Sequence, residues 1–572
     1  MNSLIKLDKI NTRVNKCGQG FCLETGGCVS KSDTRTGSFD RDAHRRKGKN
    51  ADPVKTGQQS KNEEEDMSYL MGIDNGGTFV KAGIIDEKGN IIAVARQPIQ
   101  NLTPKPGYTE RDMGKLWEQN AKVIRESLEK SGIDPADLSG ISFSGHGKGL
   151  YLVGKDGKPS YPGILSTDAR AWEYPKKWKQ DGTAEKVREK TCQDILACQP
   201  VSLLAWLRDH EPEVIENTKY VFSINDYIRY CLTGTANGEY TNFSGANLVN
   251  LYTAAYDKEL LALFGLESVW DKLPPLKYSA DICGTVTEEA AVITGLKAGT
   301  PVMAGMFDVD ACGIASGIYD ETQVCMIAGT WSINEYITRK PITNGTVALN
   351  SMFCIPEYYL IEESSPTSAG NMQWFIDEIL AEKKEELKAA GKSIYDYTNQ
   401  IISEIDPASS NVIFLPFLNG SNEDPLAKAC FVGLTDYHNR GHMLRAVYEG
   451  IVFSHMVHVE RLFRNREKPE AIRLAGGAAN SEEWVQIFAD VLGIPVETVA
   501  CDEQGIMGAA MAAGIGAGVF ETYEQAVRSL VHVSRRVEPR REYQAVYEKK
   551  YKLYKKVIAA LGGVWEDFSV SE

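Results

Sequence analysis

The sequence predicts an α/β protein of two similar domains facing a shared cleft, and three observations carry that prediction. From Met67 onward, short apolar runs alternate with amphipathic helical stretches. A strand–turn–strand with a glycine-containing turn occurs near the start of this region and returns past its middle. At 572 residues, the chain also exceeds what one hydrophobic core usually organises.

The first of these units is YLMGIDNGGTFVKAGIID, Tyr69 to Asp86, in which an apolar run breaks at Asp74, passes through Asn75-Gly76-Gly77-Thr78 and resumes. Asn-Gly and Gly-Gly between apolar runs signal a β-hairpin, because they accept positive φ cheaply. The hairpin does not account for Asp74, since an acid closing a buried strand needs a partner, a metal or water. Backbone N–H groups at Gly76, Gly77 and Thr78 would be open to a closely approaching anion; a purely structural hairpin is the alternative on this stretch alone. Strands are expected at Leu70–Ile73, Val80–Ile85, Ile91–Ala95, Ile141–Ser144 and Leu150–Val153, with a helix from Lys115 to about Lys130. A helical, loop-rich region follows from about Ala171 to Leu276. TPVMAGMFDVDACGIASG and QVCMIAGTWSINEYIT then repeat the opening theme. Two facing anion-binding turns are much stronger evidence than one.

Composition narrows the function. A formal charge of −14 makes the chain a poor binder of nucleic acid. No apolar run approaches the roughly 18 residues that cross a bilayer, so no membrane partner is expected. Of twelve cysteines, most stand singly in apolar segments, among them Cys231, Cys283, Cys312, Cys325 and Cys354, which fits buried free thiols in a reducing, cytoplasmic compartment. Residues 1–66 are polar and poor in aromatics; they read as a disordered extension, or as translation from an upstream start, with Met67 opening the folded protein. Cys17, Cys22 and Cys28 lack a fourth ligand nearby and make a poor zinc site. Asp8, Glu24 and Asp33 argue against a transit peptide.

Taken in order, the motifs resemble those of the FGGY carbohydrate kinases, within the actin, hexokinase and chaperone ATPase superfamily. GIDNGGTFVKAGI looks like the family's first phosphate motif, IAGTWSINEYI like the second, RLAGGAANSEEWVQIFADVLGIPV like its adenosine motif, and ACFVGLTDYHNRGHMLRAVYEG like its C-terminal signature. The resemblance implies two duplicated actin/hexokinase-like, ribonuclease H-like domains around a central cleft: 67–303 binding sugar and 304–572 binding nucleotide. SFSGHGKGLYLV, ILSTDARA and PVSLLAWLRDHEPE look most like the L-xylulose kinase group, whose members also act on 3-keto-L-gulonate. The implied activity is ATP-dependent phosphorylation of a primary ketose hydroxyl with Mg²⁺. Its partners are a small-molecule sugar and ATP, with a homodimer left open. A kinase for D-xylulose, L-ribulose or a signal precursor is the alternative enzyme, and a non-catalytic ATP-binding switch the alternative class.

The resemblance also places residues. Asp74 would sit near Mg²⁺ and the γ-phosphate, with Gly76, Gly77 and Thr78 shaping the phosphate channel; Lys81 reads as a strand-end charge in preference to a phosphate contact. Asp308 stands where the family has its base for the sugar hydroxyl. Asp310, two residues on, points about 200° away on a helix and reads as a first-turn acid favoured by the helix dipole. His146 and Lys148 fall at substrate positions where D-xylulose kinases carry other residues, and Asp168 and Arg170 could bind sugar hydroxyls or each other. Lys148, helped by His146 or Arg170, would pair with the carboxylate of a keto-acid; a solvent-facing loop charge is its alternative. Gly329, Thr330 and Trp331 would cradle the outer phosphates, and Gly476, Gly477 and Asn480 would border adenine and ribose, with Asn480 or Ser481 capping the next helix. The small-residue run GIMGAAMAAGIGAG reads as tight helix packing.

Overall fold

Two seven-stranded sheets carry the chain, and both are begun in the same way. The computed structural model describes residues 67–421, 424 and 426–568; the 1–66 extension and its cysteines lie outside them. In the first sheet, Tyr69–Asn75 pairs antiparallel with Phe79–Asp86, which pairs antiparallel with Ile91–Pro98. Helix Met113–Ser131 then crosses over to Leu138–Gly145, parallel to the first strand. In the second sheet, Cys325–Ala328, Ser332–Thr338 and Tyr359–Ser365 repeat the antiparallel triplet, and helix Arg440–Leu462 leads to the parallel strand Ile472–Ala475. The duplication expected from the two turns is thus a duplication of topology.

Local sequence accounts for the elements. Helix Met113–Ser131 starts where Asp112 accepts from Lys115 N at 3.0 Å and stops at Gly132 in the left-handed region, φ 68°. The expected strand near Leu150–Val153 forms at Tyr151–Gly154, but it pairs with Thr218–Phe222 outside the main sheet, against the helical insert. One glycine expectation is corrected: neither Gly76 nor Gly77 has a positive φ. Gly77 supplies open space, since a Cβ there would meet nothing within 4 Å, whereas the Gly76 N–H is not open to an anion but donates to Phe79 O at 3.1 Å.

Helix Gln504–Gly516, late in the chain, packs on the first sheet instead of the second. A Cβ at Gly72 would lie 2.1 Å from Ile506 O, and one at Gly508 would lie 2.4 Å from Ala311 O. Small residues at these positions let this helix lie directly on strand Tyr69–Asn75 and on helix Asp308–Ala315, which confirms the tight packing read from its composition. Through this helix the two halves share one seam beneath the cleft.

Candidate active site

The cleft has a cavity volume of about 550 Å³, within the range of small-molecule sites. It is lined by both glycine turns, Gly76–Thr78 and Gly329–Trp331, and by Asp74, Lys81, His146, Lys148, Asp308 and Gly476. The structure therefore brings most of the sequence-predicted residues into one space.

Each turn is held from behind by a buried side chain that sequence reasoning missed. Arg111 donates to the carbonyls of Gly77 at 2.9 Å and Gly76 at 3.4 Å, and to Asn101 Oδ1, fixing the carbonyls away from the ligand side. Under the second turn, His455 contacts Ser332 Oγ at 3.0 Å, Asn334 Oδ1 at 2.8 Å and Ser368 Oγ at 2.9 Å, and Ser368 N donates to Thr330 O. Burial pushes the His455 imidazole down to about 3, so it works as a neutral bracket. Neither residue carries a local pattern; only an arginine or histidine whose partners are backbone groups far along the chain would have marked them.

Asp74 and Asp308 are the carboxylates at the centre. Asp74 ends the first strand, accepts from Ser144 Oγ at 3.2 Å, and lies against Gly505, where a Cβ would come within 2.8 Å of its Cγ. Burial raises its pKa, against the opposing charge of Lys81. Lys81 is not a strand-end charge: it sits directly across from Asp74 in the hairpin and pairs with Glu503 at 2.6 Å inside the cleft. Asp308 is the first residue of its helix, whose N-cap is Phe307, so Asp308 does not serve as a cap. Burial and then the charge of Asp74 push its pKa up to about 8, while Lys148 works in the opposite sense. Asp310 lies in the first turn of the helix, as expected, and is fully buried beneath the cleft; it accepts from Cys354 N at 2.8 Å, and burial holds its pKa well above the carboxylate range.

Mg²⁺ fits this donor set. No three His, Cys, Asp or Glu side chains converge on a metal among the described residues, whereas Mg²⁺ bound with a nucleotide needs only one or two carboxylates, phosphate oxygens and water. Asp74, half-buried at the end of its strand and lining the cleft, is the carboxylate that would suit it.

Three substrate-side expectations change. Asp168 and Arg170 do not line the cleft: Arg170 forms two bonds to Asp168 and one to Glu110, all within 2.9 Å, and its guanidinium lies 4.2 Å from the centre of the Tyr108 ring. A guanidinium whose donors are spent inside the protein has none for a sugar. His146 lines the cleft, but Nε2 meets Tyr151 Oη at 2.9 Å and Nδ1 meets Gly147 O at 3.2 Å, and burial pushes its pKa down to about 3. It is neutral and offers a ligand only a C–H edge. Lys148 lines the cleft, in the left-handed region at φ 64°, with its ammonium 5.6 Å from the Phe307 ring and no ion pair among the described residues.

On the nucleotide side, Gly476 has φ 81° and a Cβ there would strike Ala328 at 2.8 Å, so only glycine fits. Gly477 and Asn480 are exposed beside it, outside the lining of the cleft, and the helix N-cap is Ser481, accepting from Trp484 N. Family models for the N-terminal and C-terminal domains of the FGGY family of carbohydrate kinases match residues 69–314 and 324–517. The chain belongs to the FGGY family of carbohydrate kinases. This kinase is 39% identical over 502 residues to the L-xylulose/3-keto-L-gulonate kinase of Escherichia coli K12, covering 86% of this chain and 97% of that one. It is 28% identical over 497 residues to an autoinducer-2 kinase of the same strain, covering 85% and 93%. Its fold matches a xylulose kinase from Lactobacillus acidophilus with a TM-score of 0.80 at 24% identity, over 88% of this chain and all of that one. It is a phosphotransferase that takes its phosphoryl group from ATP and delivers it to a carbohydrate.

Proposed function

We propose that this FGGY kinase phosphorylates a primary hydroxyl of L-xylulose or 3-keto-L-gulonate from MgATP, with Asp308 as the general base. The observation that carries the reading is the position of Asp308: a half-buried carboxylate at the head of a helix, in the same cleft as Asp74 and both glycine turns. The turns and Gly476 orient ATP, with Arg111 and His455 holding the turns rigid. Asp74 would hold Mg²⁺ through water, and the ion would supply neutralisation of charge on the phosphoryl oxygens. As the sugar oxygen forms its bond to the γ-phosphorus and the bond to the ADP oxygen breaks, Asp308 takes the hydroxyl proton. The raised pKa makes its ionised form a stronger proton acceptor than an ordinary aspartate, which suits that step.

Lys148 supports the keto-acid. An ammonium whose contact is the Phe307 ring, with no carboxylate paired to it among the described residues, gains less beside neutral hydroxyls than facing a carboxylate. The test is ADP production over a panel of ketoses and keto-acids with and without Mg²⁺. Sugar-dependent turnover with L-xylulose or 3-keto-L-gulonate, abolished by removing Mg²⁺, is expected; turnover only with D-xylulose, L-ribulose or a signal precursor would replace the substrate, and none with any sugar would overturn the reading.

A further inference from the structure

Beside Lys148 the cleft narrows into a small compartment bordered by Thr241, Asn242, Asn350 and Glu362. Glu362 comes from strand Tyr359–Ser365 of the second sheet and opens into both the compartment and the main cleft. It is only 5% exposed, and it makes no hydrogen bond or ion pair among the described residues. Its surroundings make that isolation unusual. Thr241 and Asn350 are both engaged with protein groups, and Glu335, directly across the sheet from Glu362, is fully enclosed, with its pKa raised well above the carboxylate range by burial. The next residue along, Glu363, faces the other way and is bonded by Ala348 N at 2.7 Å and contacted by His458 and Arg461. A buried carboxylate with no partner is costly, and a fold keeps one where a ligand supplies the missing donors.

We propose that Glu362 is a substrate-binding residue whose carboxylate accepts hydrogen bonds from the hydroxyls of the sugar chain, so that the substrate is held from the second sheet as well as from the Gly147–Lys148 loop. An ionised carboxylate only accepts, which selects a polyhydroxylated ligand and disfavours the phosphates of ATP. Lys148 and Glu362 then read the two kinds of group in an aldonic keto-acid: the ammonium its carboxylate, the carboxylate its hydroxyls. The inference rests on the sugar-kinase reading above and adds to it the second-sheet contact.

The experiment compares the parent with Glu362→Gln and Glu362→Leu, measuring KM for L-xylulose, 3-keto-L-gulonate, ATP and Mg²⁺, and Tm with and without sugar. Losing hydrogen bonds to a charged acceptor should raise the sugar KM about 10- to 100-fold in Glu362→Leu, and less in Glu362→Gln. The KM for ATP should stay within about twofold. Tm without ligand should hold, because no protein partner of Glu362 is lost, and the sugar-induced gain in Tm should vanish. An unchanged sugar KM, a Tm that drops on its own, or a shift confined to Mg²⁺ would each overturn the role. If the parent turns over other sugars but neither ketose, the substrate reading falls and Glu362 is tested on the sugar that works; if it turns over no sugar, both fall.

Discussion

Asp308 and Asp310 stand two residues apart on one helix and do opposite things, because a step of two turns the side chain about 200° around the axis. One faces the cleft and the other faces Cys354 and the interior. Asp308→Asn should lower kcat by about 10²–10⁴-fold, as expected for a lost base. It should also stabilise the ligand-free protein: the native carboxyl keeps its proton up to about pH 8 while the unfolded one loses it near 3.8, so the acid costs stability as pH rises between those values and the amide does not. Thermal unfolding at pH 5 and pH 8 should show a gain in Tm that is larger at pH 8. Asp310→Asn should be mild in turnover, since its Oδ1 can still accept from Cys354. At Lys148, replacement by Met should lower kcat/KM for 3-keto-L-gulonate by about 1.5–3 kcal/mol and for L-xylulose by clearly less. Equal losses on both sugars would remove the carboxylate role.

At the scale of elements, helix Gln504–Gly516 ties catalysis to packing. Its first turn brings Gly505 against Asp74, and its middle brings Gly508 against the helix that begins with Asp308. Gly508→Ala should cost about 1–3 kcal/mol in urea unfolding, because the added methyl meets backbone that cannot turn aside. Gly505→Ala places its methyl on the Asp74 carboxylate and should depress kcat more than stability, read by comparing the two variants in the same assays. The composition of this run was legible as close packing, but its neighbours lie more than 180 residues earlier, and no local pattern could name them.

For the molecule as a whole, the buried acids set a pH response. Burial raises Asp308 to about 8 and Glu239 to about 7, and lifts Asp310 and Glu335 well above their ordinary values. His146 and His455, pushed down to about 3, act in the opposite sense, but only until the unfolded imidazoles lose their protons near pH 6.5. Above that, the native state holds protons that the unfolded chain has released, so stability falls with rising pH. Ligand-free protein should lose Tm steadily between pH 6.5 and 8. A flat or rising Tm over that window would show that these acids are ionised in the native state.

Sequence alone determined the α/β class, the doubled strand–turn–strand, the glycines that leave room above each turn, and the separation of Asp308 from Asp310, because each follows from local periodicity or from the absence of a side chain. The family followed from several such motifs in order. Tertiary structure decided which charges are free for a ligand. Arg170 looked available in STDAR until Glu110 and Asp168 were seen to consume its donors, and Glu362 had no signal in YYLIEESS until its neighbour Glu363 was found satisfied and Glu362 not. A side chain's chemistry is written at its own position, but whether that chemistry is spent depends on partners that only the folded chain brings within hydrogen-bond distance.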